Sequence, residues 1–301
     1  MAHPDSRPDR ARVGARLGTP TAQPHFPIRA AFYYPWFPEA WRQGGIYPYT
    51  RYRPSAGFYD GSNPSTIRRQ IRAMTYARIE AGLASWWGRG TRTDARMGTV
   101  LRVTGAMRSR LRWAVVYEPE GFADPSPAQI TADLSYILRR YGRNGSFLRI
   151  AGRPVIFVFA GSTDGCDMAT RWRQANHVGA YVALKVFRGF ERCRSKPAAW
   201  YQYAPAVATD AQRGRSFAIS PGFHKVGEPV RLRRDLARFR RNIRAMVASR
   251  APWQLVTTFN EWGEGTAVES AVEWRSASGH GAYLDALRHD GRRRRAISRP
   301  H

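Results

Sequence analysis

The sequence predicts an α/β chain folded as a single (β/α)8 TIM barrel, and three observations carry that prediction. Eight short apolar or β-branched runs alternate with helix-like runs along nearly the whole chain. At 301 residues the chain can bury one barrel-sized core. The residues that follow the strand-like runs are aromatic and acidic, as expected where a barrel gathers its strand ends at one mouth. A doubly wound open sheet would also alternate strand and helix, but no Gly-rich phosphate loop follows the first strand-like run.

The strand-like runs are residues 30–34, 83–86, 112–117, 155–159, 181–186, 199–203, 216–219 and 254–259. Between them, Asn63-Pro64 reads as a cap and first helical position, followed by Ile67, Ile71 and Met74 on one face. Ser126-Pro127 opens a second helix with Ile130, Leu134, Ile137, Leu138 and Tyr141 as a buried stripe. A third is expected from Pro229 to Ser249, with Leu232, Leu236, Phe239, Ile243, Met246 and Val247 inward and arginines outward. Helical signals fade between the fifth and seventh strands. Residues 1–27, rich in Pro, Arg, Ala and Asp, are expected to be a disordered leader, residues 28–290 the barrel, and residues 291–301 a basic disordered tail containing Arg292 to Arg295.

The formal charge is +27, but all except three of the 49 basic residues are arginine, and they are spread over several helix faces. That distribution favours a solvated basic surface over a dedicated nucleic-acid site. No Cys/His spacing suggests zinc, and no cofactor or metal is expected. The two cysteines, Cys166 and Cys193, permit one disulfide or two thiols. Met1 to Pro27 contains neither the apolar segment of a signal peptide nor a membrane span.

The chemistry-bearing stretch is Phe259-Asn260-Glu261-Trp262-Gly263-Glu264-Gly265-Thr266. A strand runs into two carboxylates three residues apart, set among an amide, an indole and two glycines. Paired carboxylates flanking one bond are the working parts of glycosidases, and an indole suits the apolar face of a sugar. The blander account is a polar strand exit with solvated acids. Around this pair the other strand ends offer Tyr33, Tyr34, Trp36, Trp86, Trp87, Glu118 and Tyr203 as substrate-binding candidates, with Asn260 and Trp262. Because side chains alternate across a strand, at most one of Trp86 and Trp87 can line the site. Glu118 reads either as a ligand hydrogen-bonder or as a partner for an arginine, and Lys185 either as a ligand contact or as a salt bridge. His177 and His224 are lone histidines of the kind usually found in structural or surface roles.

Phe32 to Trp36 (Phe-Tyr-Tyr-Pro-Trp), Ser85 to Gly88 (Ser-Trp-Trp-Gly), Gly152 to Val155, Ser220 to Phe223 (Ser-Pro-Gly-Phe) and Phe259 to Thr266 occur in that order. Together they resemble the bacterial glycoside hydrolases of the family 71/99-like group, which includes endo-α-mannosidases. The likeness spans roughly residues 28 to 290, and the last motif is the specific one. It implies a (β/α)8 barrel and a retaining hydrolase of α-linked glycans, endo-acting on α-mannoside or α-glucan. It also implies Glu264 as general acid/base and Glu261 as the base that deprotonates the sugar hydroxyl neighbouring the anomeric carbon. Tyr34 and one of Trp86 or Trp87 would line the subsite beside the cleaved bond. An oligosaccharide or polysaccharide partner, a monomeric state, and an extracellular place of action in polysaccharide degradation follow from the same likeness, with no specific nucleic acid and no membrane. Two positions depart from the family pattern. Gly263 stands where a histidine is usual, and His224-Lys225 where an acidic residue is common; both bear on which sugar is held. The competing readings are a non-catalytic carbohydrate-binding barrel and a polyanion-binding protein.

Overall fold

The computed structural model describes residues 22–291. Eight parallel strands follow one another around a nearly closed barrel: β1 (Ile28–Tyr33), β2 (Ala81–Trp86), β3 (Arg112–Tyr117), β4 (Arg153–Val158), β5 (Tyr181–Lys185), β6 (Ala199–Tyr201), β7 (Ser216–Ile219) and β8 (Trp253–Val256). Each pairs with its sequence neighbour through β6, and β1 closes onto β8, which pairs with β7. The seam lies between β6 and β7, bridged by the Gln202 amide donating to Ser216 Oγ at 3.3 Å. Each predicted strand coincides with one of the eight. The last ends at Val256, three residues earlier than expected, and Thr257 onward already belongs to the loop.

Both faces of these strands are buried, so they read as continuous apolar runs rather than alternating ones. Alternation still decides where each side chain goes. Ile28, Ala30 and Phe32 on β1, Leu83 on β2, Ala114 and Val116 on β3, and Val155 and Phe157 on β4 fill the barrel interior with Tyr201 and Trp253. Phe157 sits edge-on to both Tyr201 (4.8 Å) and Trp253 (4.9 Å), tying opposite walls together. The intervening residues face the helices, which form the outer layer.

Those helices are α1 (Pro64–Tyr76), α2 (Arg92–Ala106), α3 (Pro127–Arg140), α4 (Cys166–Ala175), α5 (Leu236–Ala248) and α6 (Ala282–Asp290). α1 and α3 start as the sequence predicts: Asn63 and Ser126 accept hydrogen bonds from the amides of Ser65 and Gln129. Ile130, Leu134, Ile137 and Tyr141 are buried as expected. The third predicted helix starts later than Pro229. Asp235 is its cap, accepting from the Arg238 amide, while residues 223–232 instead double back, with Phe223 and Leu232 paired antiparallel. The apolar periodicity was real only from Leu236 on, because the preceding stretch is recruited to the barrel mouth.

Residues 22–27 lie inside the predicted leader but are held against the bottom of the barrel. Gln23 bonds Phe147 and Arg149, and the Phe26 ring packs edge-on to Trp253 at 5.2 Å. The rest of the leader and the Arg292 to Arg295 tail lie outside the described residues. Cys166, at the start of α4, is disulfide-bonded to Cys193 in the loop after β5. Among the described residues no helix is long and apolar enough to cross a membrane.

Candidate active site

The loop that carries the two glutamates folds on itself before it meets anything else. The hydroxyls of Thr258 and Thr266 lie 2.9 Å apart at its base, and the Thr258 amide donates to Thr266 O. Thr258 Oγ1 also accepts from the Glu261 amide at 2.8 Å, and the Thr266 amide donates to Glu261 O. Gly265 closes the turn with φ +66°, and a Cβ there would meet His224 O at 2.9 Å. Across the loop the Glu264 amide donates to Glu261 Oε1 at 3.2 Å, so the two acids are placed by the same turn. From outside, Arg234 Nη1 and Nη2 donate to Gly265 O and Ala267 O, and its guanidinium lies 3.9 Å from the Trp274 ring centroid and 4.2 Å from that of Tyr283.

The remaining residues of the cluster continue the inward register at the ends of their strands. Tyr34 follows Phe32, Glu118 follows Val116, Tyr203 follows Tyr201, and Ser85 follows Leu83. Tyr34 Oη donates to Tyr203 Oη at 2.8 Å, and Tyr203 Oη reaches Glu264 Oε2 at 3.4 Å. Trp36 stacks on Tyr34 with centroids 4.5 Å apart. Trp87, about two-fifths exposed, donates from Nε1 to Ser85 Oγ and packs on Phe122, which in turn faces Phe159. The structure therefore gathers Glu261, Glu264, Glu118, Tyr34, Tyr203 and Trp36 into one cluster at the strand ends, with Trp87 beside Ser85.

Four predicted residues, Tyr33, Trp86, Trp262 and Asn260, are turned away from that cluster. Tyr33 and Trp86 fall on the outward register: Tyr33 Oη donates to Gln70 on α1 at 2.7 Å, and Trp86 Nε1 donates to Asp94 on α2 at 2.8 Å. Of the adjacent tryptophans, Trp86 is the one turned away. Trp262 is completely buried behind the loop, stacked with Trp274 and donating to Tyr59 Oη, so it offers no face to a sugar. Asn260 spends both ends of its amide on the Tyr34 backbone, accepting from N at 2.7 Å and donating to O at 3.0 Å. It locks the first strand end to the last and does not donate to either glutamate. Lys185 donates to Ala160 O.

Residues that sequence reasoning missed also belong to the site. Ser85 was legible: if Trp86 points out, its neighbour points in. Tyr49 carries no such signal. Its ring lies 2.9 Å from where a Cβ on Gly263 would be, and Glu261 Oε1 lies 3.1 Å from that position. The tyrosine thus occupies the space that a side chain at residue 263 would need.

Electrostatically the cluster brings three buried carboxyl groups together. Burial pushes Glu118 up to about 8, Glu264 adding to the effect and Ser85 opposing it. Burial likewise raises Glu264 to about 7, tempered by the Tyr203 hydroxyl and the cations Lys225 and Arg231. Glu261 is pushed well above the ordinary carboxylate range by burial and by the charge of Glu264, and its Oε2 is buried without a hydrogen-bond partner among the described residues. Such a cluster retains protons at neutral pH, which is what acid catalysis needs.

A stability consequence follows for Glu118. Between its ordinary value near 4.5 and about 8 the folded protein binds the proton that the unfolded chain releases, so stability falls as pH rises through that window. Glu118→Gln removes this penalty. Relative to the parent, the variant should gain roughly 2 to 5 kcal/mol between pH 5 and pH 9. Urea denaturation at the two pH values measures it, and equal midpoints for both proteins at pH 9 would refute a buried, proton-holding Glu118.

Three further carboxylates, Glu120, Asp124 and Asp164, gather beyond β3 around Arg171, whose guanidinium pairs with each of them. They form an ion-pair network apart from the Glu261 and Glu264 cluster.

Comparison with known proteins agrees with the fold. The model of Glycosyl hydrolase family 99 matches residues 48–174. No curated protein matches. Among solved structures, the chain is similar to a GH99 endo-alpha-mannosidase from Bacteroides thetaiotaomicron in complex with bis-tris-propane, with TM-score 0.70 and 18% identity over 89% of this chain and 96% of that one. A second structure of the endo-alpha-mannosidase from that organism aligns with TM-score 0.64 at 18% identity over the same shares. A glycoside hydrolase-like protein aligns with TM-score 0.61 at 16% identity over 92% of this chain and 98% of that one. The barrel and the family match over residues 48–174 agree with the likeness read from the motifs: the chain is similar to the glycoside hydrolases of family 99.

Proposed function

We propose that this protein is a glycosidase that cleaves α-linked glycans within the chain, with retention of anomeric configuration, using Glu264 as general acid/base and Glu261 as the base that activates the substrate's own neighbouring hydroxyl. The observation that carries the reading is the shared turn. Glu264 N bonds Glu261 Oε1 while Tyr203 bonds the Glu264 carboxylate, which supports the two acids acting together beside the aromatic residues Tyr34 and Tyr203. Family 99 structures titled endo-alpha-mannosidase make α-mannoside the first substrate class to test, with α-glucan second.

In the protein alone the deeper Glu261 competes for the proton, because Glu264 has the cations Lys225 and Arg231 nearby and Glu261 does not. A sugar hydroxyl donating to Glu261 Oε2 would stabilise its carboxylate form and leave the proton on Glu264, poised against the departing oxygen. Tyr34, stacked by Trp36, and Trp87 beside Ser85 supply the flat surfaces for sugar rings. A disulfide persists in oxidising surroundings, which supports action outside the cytoplasm, as the degradation of polysaccharide requires. The chain is proposed to act as a monomer.

Incubation with panels of α-mannan and α-glucan tests the reading. Reducing ends should appear, internal oligosaccharides should dominate the early products, and the first product should keep the anomeric configuration. Binding of these glycans with no turnover of any would replace the enzyme reading with a carbohydrate-binding barrel.

A further inference from the structure

The two sides of the mouth differ in charge. On one side Trp87, Phe122 and Phe159 form an aromatic shoulder whose one cation contact among the described residues is Lys185, its ammonium 5.1 Å from the Phe159 ring centroid. On the other, residues 223–232 lie along the loop that bears the acids: the His224 amide donates to Glu264 O at 2.8 Å, and the Val226 amide to Gly263 O at 3.1 Å. This segment and its surroundings bring Lys225, Arg231, Arg233 and Arg51 to the Glu264 side. The Arg231 guanidinium lies over the Phe223 ring at 4.9 Å, which restricts where it can point. Arg51 and Arg233 adjoin Tyr52 and Arg234, which both touch Gly265, and Lys225 lies between His224 and Val226, whose amides bond the acid-bearing loop, so these cations belong to segments packed on that loop.

Carboxylates do not balance these charges. Glu228 pairs with Lys225 at 2.8 Å. Arg51, Arg231 and Arg233 are exposed and have no carboxylate within 4.0 Å among the described residues. Elsewhere arginines do find partners, as Arg240 and Arg244 do at Asp290 and Arg92 and Arg96 do at Glu39. Position matters here more than number, because the unpaired guanidinium groups belong to segments packed on the loop that carries Glu264, the residue at which the leaving group would depart. An uncharged sugar would leave them with water. A carboxylate or phosphate would meet planar donors arranged for paired hydrogen bonds.

We propose that this cationic rim selects α-linked glycans carrying an anionic substituent, a uronate carboxylate or a phosphate ester, on the leaving-group side of Glu264. The proposal rests on the glycosidase reading above, since that reading orients the glycan. It also gives a use to the departure at His224-Lys225, where the family pattern commonly has an acid.

The test is a binding measurement on the full chain carrying Glu264→Gln, with three probes: neutral α-mannan oligosaccharides, phosphorylated α-mannan oligosaccharides, and α-linked oligogalacturonates. At least one anionic probe should bind about five- to tenfold more tightly than the neutral one, with a preference that shrinks as salt is raised. The ratio should collapse toward one when Arg51, Arg231 and Arg233 are all changed to Gln, and circular dichroism checks that this variant is folded. A preference confined to the phosphorylated probe assigns the rim to phosphate, and one confined to oligogalacturonate assigns it to carboxylate. The proposal is overturned if the neutral probe binds as tightly as both anionic ones, or if the preference in the unsubstituted rim is insensitive to salt. Should the parent chain nevertheless cleave neutral α-mannan, the glycosidase reading stands and only the charge selection falls.

Discussion

Glu264→Gln is expected to lower turnover of natural α-linked glycans by about a thousandfold, while Glu261→Gln lowers it by at least as much, and both variants remain folded. An amide keeps the shape of the loop but cannot release a proton to the departing oxygen. The two roles separate on an activated substrate. A nitrophenyl glycoside leaves without protonation, so Glu264→Gln should recover most of its rate on it, whereas Glu261→Gln should not. The pH profile carries the same signature. With Glu264 raised to about 7, activity falls as pH climbs through that value and the proton is lost, and this alkaline limb disappears in Glu264→Gln. Full activity of Glu264→Gln on natural glycans would remove it from the acid role. An alkaline limb unchanged in that variant would assign the titration to another group, with Glu118 next in line.

The second large effect concerns a residue that need not touch substrate. Arg234 holds the backbone of Gly265 and Ala267 with two hydrogen bonds, at 2.8 and 2.9 Å, and is itself held against the aromatic rings of Trp274, Tyr283 and Tyr52. Arg234→Met fills much of the same volume but leaves two carbonyls without donors and the rings without a cation. The expected cost is about 3 to 5 kcal/mol of stability. Because Glu264 is adjacent to Gly265, a shift of the turn also misplaces the acid, and kcat should fall about a hundredfold with a smaller change in KM. Arg234→Lys retains the charge but cannot span both carbonyls, and should lie between the two. Urea midpoints and steady-state kinetics decide the matter; parent-like values of both for Arg234→Met would show that the loop is self-supporting through Thr258 and Thr266.

The residues of the site were legible to different degrees, and the differences have physical causes. Glu118, Tyr34 and Tyr203 were legible as candidates because they sit at strand ends, and a barrel points every strand at the same place. The error of including both Tyr33 and Tyr34 came from reading aromatic density without applying the two-residue period to each pair. Applied consistently, it would have removed Tyr33 and added Ser85. Trp262 and Asn260 failed differently. They stand in the most diagnostic motif, but the turn built by Thr258, Thr266 and Gly265 sends the acids forward, the indole backward and the amide sideways onto Tyr34. Local sequence does not encode these directions, because they depend on residues more than two hundred positions away.

What the sequence alone determined was the barrel, its eight strands, two of its helix caps and the pair of glutamates, since these follow from periodicity, capping chemistry and a nearly contiguous motif. Only the tertiary structure decided which aromatics turn toward the acids, that Tyr49 takes the space above Gly263, that Arg234 clamps the loop from behind, and that the stretch before Leu236 doubles back against the acid-bearing loop. These are contacts between distant segments, and their strength lies in burial and shared geometry that exist only once the barrel has brought the segments together.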